Sequence, residues 1–164
     1  MKYRFFITGY LSNWYQCDIN YDGKAFANSE QLYMFLKAKT FGDVESMDKI
    51  LATISPKEAK ELGRTVANFN PKIWDNVKYE MMYLAVLAKF TQNPILRERL
   101  FREYNQFKFD ADRPESVLFV ECNPLDRVWG IGYSVAEAEK SDVATWGQNL
   151  LGKILTEIAA KINL

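Results

Sequence analysis

Asn28-Ser29-Glu30-Gln31-Leu32-Tyr33-Met34-Phe35-Leu36-Lys37-Ala38-Lys39 opens with helix-capping residues and closes with basic ones. The side-chain oxygens of Asn28 and Ser29 suit the first orphan N–H groups of a helix that begins at Glu30 and runs to about Lys39. Leu32, Phe35 and Leu36 recur at helical spacing and form its buried stripe. The helical turn also sets Glu30, Tyr33, Met34 and Lys37 on one side, with Glu30 and Lys37 two turns apart. An acid, a phenol and an amine thus share a face. The same spacing fits a first-turn acid suited to the helix dipole and a solvated lysine near the other end, so both readings stay open.

On the N-terminal side, Phe5 to Thr8 is a short apolar segment. Cys17-Asp18-Ile19-Asn20-Tyr21 alternates and turns at Asp22-Gly23 into Lys24-Ala25-Phe26, the pattern of a hairpin. On the other side a second helix covers Val44 to Ile54. Ser55-Pro56-Lys57-Glu58 then reads as a capping box with proline at the first helical position, and Gly63 as the stop. Asn70-Pro71 opens a longer helix carrying Trp74, Val77, Met81, Leu84, Ala85 and Ala88, and Asn93-Pro94 starts another. Ser116 to Glu121 reads as a buried strand and Asn123 to Tyr133 as a loop. Asn149 to Ile162 is an amphipathic helix with Leu150, Leu151, Ile154, Leu155, Ile158 and Ile162 as its apolar residues. No repeat or linker divides the chain. The expected fold is one α+β domain over residues 1–164, mostly helical, with a small sheet or hairpin.

At 164 residues, 48% hydrophobic and 15% aromatic, the chain has material for one packed core. The 21 basic and 21 acidic residues leave no overall positive field, so a nucleic acid must be gripped locally, for instance by Lys57, Lys60, Arg64 and Lys72. Cys17 and Cys122 lie far apart and outside any CxxC, which fits a reducing compartment. The apolar run near the N-terminus is too short for a signal peptide or a membrane span, so a cytoplasmic location and no membrane partner are expected. The absence of histidine removes the commonest general base at neutral pH and the commonest zinc ligand. With no metal-ligand spacing elsewhere, neither metal nor cofactor is expected, and catalysis falls to carboxylates, lysine, tyrosine or backbone.

Two further stretches stand out. Glu121-Cys122-Asn123-Pro124-Leu125-Asp126-Arg127-Val128-Trp129-Gly130 places two carboxylates and a tryptophan at a strand end and in the loop after it. Trp129 there either stacks on a nucleobase or plugs the core, and Trp74, one turn into its helix, fits the core better. Gly147-Gln148-Asn149-Leu150-Leu151-Gly152 has the look of a glycine-rich helix start whose N–H groups hold a phosphate, and equally of a turn with an N-cap. No GxxxxGK[ST] is present.

Taken in order, the pieces resemble the NADAR/YbiA-like N-glycosidase family across nearly the whole chain. The matching stretches are Leu11-Ser12-Asn13-Trp14, Ser29-Glu30-Gln31-Leu32-Tyr33 with Lys37, Ser55-Pro56 through Ala59 to Gly63-Arg64, and Trp74-Asp75-Asn76-Val77-Lys78 with Met82. Further on come Ala88-Lys89-Phe90 before Asn93-Pro94, Glu121, Asp126-Arg127-Val128-Trp129-Gly130, and Asn149-Leu150-Leu151-Gly152. There are departures: Gln31 stands where the family usually has histidine, and Leu32 where it has tyrosine or phenylalanine. Tyr133 to Trp146 is longer than the family leads one to expect, as a substrate-specific flap or a solvated loop.

The resemblance implies hydrolysis of a bond between ribose C1 and an amine nitrogen. Two substrate classes come with it: ADP-ribose on the amino group of guanine in nucleic acid, and ribosylamino-pyrimidine phosphates, early intermediates of riboflavin synthesis. Glu30 takes the place of a general acid/base and Asp126 that of a group stabilising positive charge. Lys37 is either a covalent nucleophile or a charge that positions phosphate. Trp129 stacks on a base, Trp74 walls the cleft, and Arg64 binds phosphate. Tyr33, Asn13, Gly130 and Asn149 complete the substrate-binding positions. A free-standing domain without a fused deaminase or reductase favours the guanine substrate, as a repair or antitoxin-like activity set against an ADP-ribosylating toxin. A reading from another class keeps the domain as a non-catalytic ADP-ribose or nucleotide binder. The presence of both Glu30 and Lys37 speaks against it.

Overall fold

The structure is a computed structural model and describes residues 3–110 and 118–162. In chain order it contains strands β1 (Arg4–Phe6), β2 (Ile19–Tyr21) and β3 (Lys24–Phe26), then helices α1 (Ser29–Thr40), α2 (Val44–Ala52), α3 (Pro56–Arg64), α4 (Pro71–Gln92) and α5 (Pro94–Asp110). Strand β4 (Phe119–Glu121), the four-residue helix α6 (Val135–Ala138), a 3-10 turn at Val143–Thr145 and helix α7 (Leu150–Lys161) follow. The class is α+β and mostly helical. The chain forms two compact units, residues 13–94 and residues 1–12 with 95–164.

In the 13–94 unit, Asp22 and Gly23 take φ of 51° and 71°, the left-handed pair that a two-residue hairpin turn demands, and β2 pairs antiparallel with β3. Asn28 caps α1 by accepting the Gln31 N–H at 2.8 Å. This helix packs against α2, α3 and α4 and is buried from Ser29 to Leu36, so it is wrapped rather than half-exposed. Two expectations change. The Ser55 hydroxyl does accept the Glu58 N–H, but the Glu58 carboxylate accepts from the Thr53 hydroxyl instead of turning back on Ser55, so the box is only half made. Gly63 does not stop α3, which continues through Arg64. A Cβ at Gly63 would lie 2.0 Å from Met34 Sδ, so the glycine is there to let α3 approach α1. The face of α4 also differs: Trp74, Met82, Ala85, Val86, Lys89 and Phe90 are buried, while Val77, Met81, Leu84 and Ala88 are half-buried.

In the other unit β1 pairs parallel with β4, Arg4 opposite Phe119 and Phe6 opposite Glu121. Strand β1 takes in only the first two residues of the apolar segment Phe5 to Thr8, and of the strand read at Ser116–Glu121 positions 116 and 117 lie outside the described residues. Helix α7 packs on β4. The Thr156 hydroxyl accepts the Leu118 and Phe119 N–H groups, at 3.2 and 3.3 Å. Asn149, at φ 50°, accepts the Glu121 N–H at 3.0 Å and donates to the Phe119 carbonyl at 3.0 Å. Its carboxamide thus closes a strand edge that no other strand among the described residues covers. Removing it leaves two buried backbone groups unpaired, so Asn149→Ala is expected to lower the unfolding free energy by about 2 kcal/mol in urea denaturation.

The segment from Tyr133 to Trp146 is structured. Ser134 and Glu137 form a reciprocal capping box on α6, and the Trp146 indole donates to the Ser141 hydroxyl at 2.7 Å. Trp146 packs with Tyr3 and Phe5 against Val120, Cys122, Ile131 and Ala138. It is therefore more than a plain solvated loop. Among the described residues no helix is long and apolar enough to cross a membrane.

Candidate active site

Glu30 enters α1 in its first turn and is buried, 6% exposed, where the helix dipole favours a carboxylate. Asn13 holds this turn in place. Its carbonyl accepts the Glu30 N–H at 3.1 Å, its carboxamide oxygen accepts from the Ser29 hydroxyl at 2.9 Å, and its amide faces Met82 Sδ at 3.2 Å. Asn13 is therefore a brace that fixes where Glu30 starts. Gln31, also buried, accepts the Ala27 N–H at 2.7 Å and donates to the Ile50 and Thr53 carbonyls at 2.9 and 2.6 Å. The position where the family usually has histidine is thus a tie between α1 and the end of α2 in this chain.

Lys37 lies two turns along, ~10 Å of helix rise from Glu30. Its ammonium sits 4.5 Å above the centre of the Phe69 ring and 5.7 Å from that of Trp74. Trp74 is buried and packs on Tyr33 at 5.4 Å between ring centres, so Tyr33, Lys37, Trp74 and Phe69 form one cluster. Burial pulls the Lys37 ammonium below the ordinary lysine range. The rings oppose that by stabilising a cation, and they would do the same for an iminium. Arg64, at the end of α3, is exposed.

Asp126, Trp129, Gly130 and Asn149 belong to the other unit. Asp126 Oδ1 accepts the Val128 and Trp129 N–H groups, both at 2.8 Å, which curls the loop and orients Trp129, a half-buried side chain. Gly130 is buried where a Cβ would meet the Glu121 carbonyl oxygen at 2.8 Å. The N–H groups read as a phosphate cradle are occupied: Gly147, Gln148, Asn149, Leu150 and Leu151 donate to the carbonyls of Ile131, Arg127, Gly130, Val128 and Trp129. Backbone of the 127–131 loop fills the start of α7, which corrects that expectation.

Sequence reasoning missed two residues. Phe69 stands in the loop before α4, where no periodicity marks it. Lys89 was noticed only as part of Ala88-Lys89-Phe90. It is 1% exposed, its ammonium lies 5.6 Å from the centre of the Tyr15 ring and 5.2 Å from that of Phe90, and burial lowers its pKa to about 8 against the favourable pull of Cys17. Between about pH 8 and 10.5 the unfolded chain holds a proton on this amine that the folded chain lacks. Stability then rises with pH, by up to about 1.4 kcal/mol per unit from this residue, and the increment is lost as pH falls through 8. Denaturation of wild type and Lys89→Met across that window is expected to show the increment in wild type alone.

Comparison with known proteins identifies the family of the chain. A profile of the NADAR domain matches residues 5–163. The chain belongs to the NADAR domain family. Among its NADAR relatives, the protein named N-glycosidase R617 of Acanthamoeba polyphaga mimivirus is 36% identical over 154 residues, covering 90% of this chain and 84% of that one. N-glycosidase YbiA of Escherichia coli (strain K12) is 29% identical, covering 94% and 81%. The solution structure of the E. coli YbiA protein superposes with a TM-score of 0.72 at 27% identity, over 98% of this NADAR chain and 84% of that one. A riboflavin biosynthesis protein of Arabidopsis thaliana, PYRR, is 30% identical over 136 residues, which is 77% of this chain and 19% of the plant protein.

Proposed function

We propose that this NADAR protein hydrolyses the bond between ribose C1 and an exocyclic amine, and that its substrate is ADP-ribose attached to guanine in nucleic acid. The observation that carries the reading is the α1 face: a buried carboxylate, Glu30, and a half-buried amine of lowered pKa, Lys37, walled by Tyr33, Trp74 and Phe69. The relatives named N-glycosidases support the reaction class. The protein is a hydrolase of N-glycosyl bonds.

A ribosylamine opens to an imine between C1 and the base nitrogen. The neutral Lys37 amine adds to C1, Glu30 delivers a proton to the base nitrogen, and the C1–N bond breaks to release the base as a free amine. Lys37 is left as an iminium on C1, stabilised by the rings around it. Water, deprotonated by Glu30, adds to C1, and Lys37 leaves as the sugar aldehyde closes to ribose. The family resemblance gives the position of Asp126 the role of stabilising positive charge and that of Trp129 the role of stacking on a base. Arg64 takes phosphate, and an ADP-ribosylating toxin is the activity this enzyme opposes.

Exposed cations favour the nucleic-acid substrate: Arg64 and Lys72 lie within a stretch, residues 62–74, that has no carboxylate. Relatives named riboflavin biosynthesis proteins favour a second reading, ribosylamino-pyrimidine phosphates. Purified protein offered an oligonucleotide bearing ADP-ribosylated guanine is expected to release ADP-ribose and restore the unmodified strand. Cleavage of the pyrimidine phosphate alone would transfer the assignment to the second reading. Binding of ADP-ribose with no cleavage of either would leave a non-catalytic module.

A further inference from the structure

Phe69 is 43% exposed, although aromatic residues of this size are buried on average. One face of its ring is covered by the Lys37 ammonium at 4.5 Å, and Phe41 meets it edge-on at 5.3 Å and 68°. These contacts still leave part of the ring open to solvent. The loop that presents the ring is held at both ends. The Asp43 carboxylate accepts the Ala67 N–H at 2.7 Å, Asn68 turns the chain at φ 57°, and Asn70 caps α4 by accepting the Lys72 and Ile73 N–H groups. An aromatic surface fixed in this way loses little freedom when something flat lies on it.

The charged side chains nearest the ring in sequence are cations. Arg64 and Lys72, both exposed, bracket the loop, and no acidic residue lies between them in sequence. The nearby acids are engaged: both Asp43 oxygens accept backbone N–H groups, from Ser46 and Ala67, and Asp75 pairs with Lys78 at 2.7 Å. A polyanion carrying flat rings is the chemistry that fits.

Resting on the nucleic-acid reading above, we propose that Phe69 is a stacking platform for an unpaired nucleobase of a single-stranded nucleic acid, with Arg64 and Lys72 on the strand's phosphates. The strand is single because a base inside a duplex has both faces covered. The platform tolerates any base, and its use is to hold the strand next to Lys37, which touches the same ring.

The test reads binding, not turnover, so it separates this proposal from the proposed reaction. A fluorescein-labelled, unmodified single-stranded oligonucleotide is titrated with the full chain and followed by anisotropy. Phe69→Leu is expected to weaken binding roughly 10-fold or more, and Phe69→Trp to hold it near wild type. Arg64→Gln and Lys72→Gln are each expected to flatten the slope of log K against log salt by about 0.7. Wild-type binding by Phe69→Leu would overturn the proposal, as would equal loss in the leucine and tryptophan variants. Failure of ADP-ribose release with Phe69-dependent strand binding would sink the reaction and leave the platform standing.

Discussion

Glu30→Gln is expected to lower turnover by about 10²- to 10⁴-fold while leaving the thermal midpoint close to wild type. The carboxamide has the carboxylate's size and shape, so the buried turn braced by Asn13 and Ser29 keeps its packing. It cannot give up or accept a proton, and both halves of the proposed reaction need that. Release of the base requires a proton on the departing nitrogen, and release of the sugar requires one taken from water. Thermal melting alongside steady-state assays separates the two effects. Turnover within a few-fold of wild type would remove Glu30 from the chemistry.

Lys37→Met is expected to remove turnover to a similar degree, and the companion variant Lys37→Arg decides why. Arginine keeps a cation over Phe69 and Trp74 but stays protonated at any working pH and does not add to C1. If Lys37 is the nucleophile, both variants lose turnover by roughly 10²-fold or more. If the charge only positions phosphate, arginine restores most of kcat and the methionine variant fails chiefly in KM. The lowered pKa adds a sign: in wild type the rate should rise with pH as the Lys37 amine loses its proton, below the pH at which an ordinary lysine would do so.

How much of this was readable in the sequence varies by residue. The α1 face was, because one helix in one register places Glu30, Tyr33 and Lys37 together whatever surrounds it. The hairpin was, because Asp22-Gly23 has few other conformations. The buried face of α4 was not: a stripe phased on apolar residues alone puts Met81 and Ala88 inward, whereas the true one includes Lys89. Gly63 and Asn149 were given local roles, a helix stop and a ligand position. Their reasons are tertiary, in Met34 Sδ and in the backbone of β4, and spacing along the chain carries no trace of either. Phe69 was invisible for the same reason, since only the folded loop sets it over Lys37.

The central claim is that Lys37 and Glu30 cleave a C1–N bond through an iminium on the lysine. Borohydride added during turnover, with the ADP-ribosylated oligonucleotide and the ribosylamino-pyrimidine phosphate offered separately, reduces that iminium to a stable amine. Intact-protein mass followed by peptide mapping is predicted to find the sugar portion of the cleaved substrate on Lys37, with no adduct in Lys37→Arg. Rapid cleavage with Lys37 unmodified would contradict the covalent route, and no cleavage of either substrate would contradict the account as a whole.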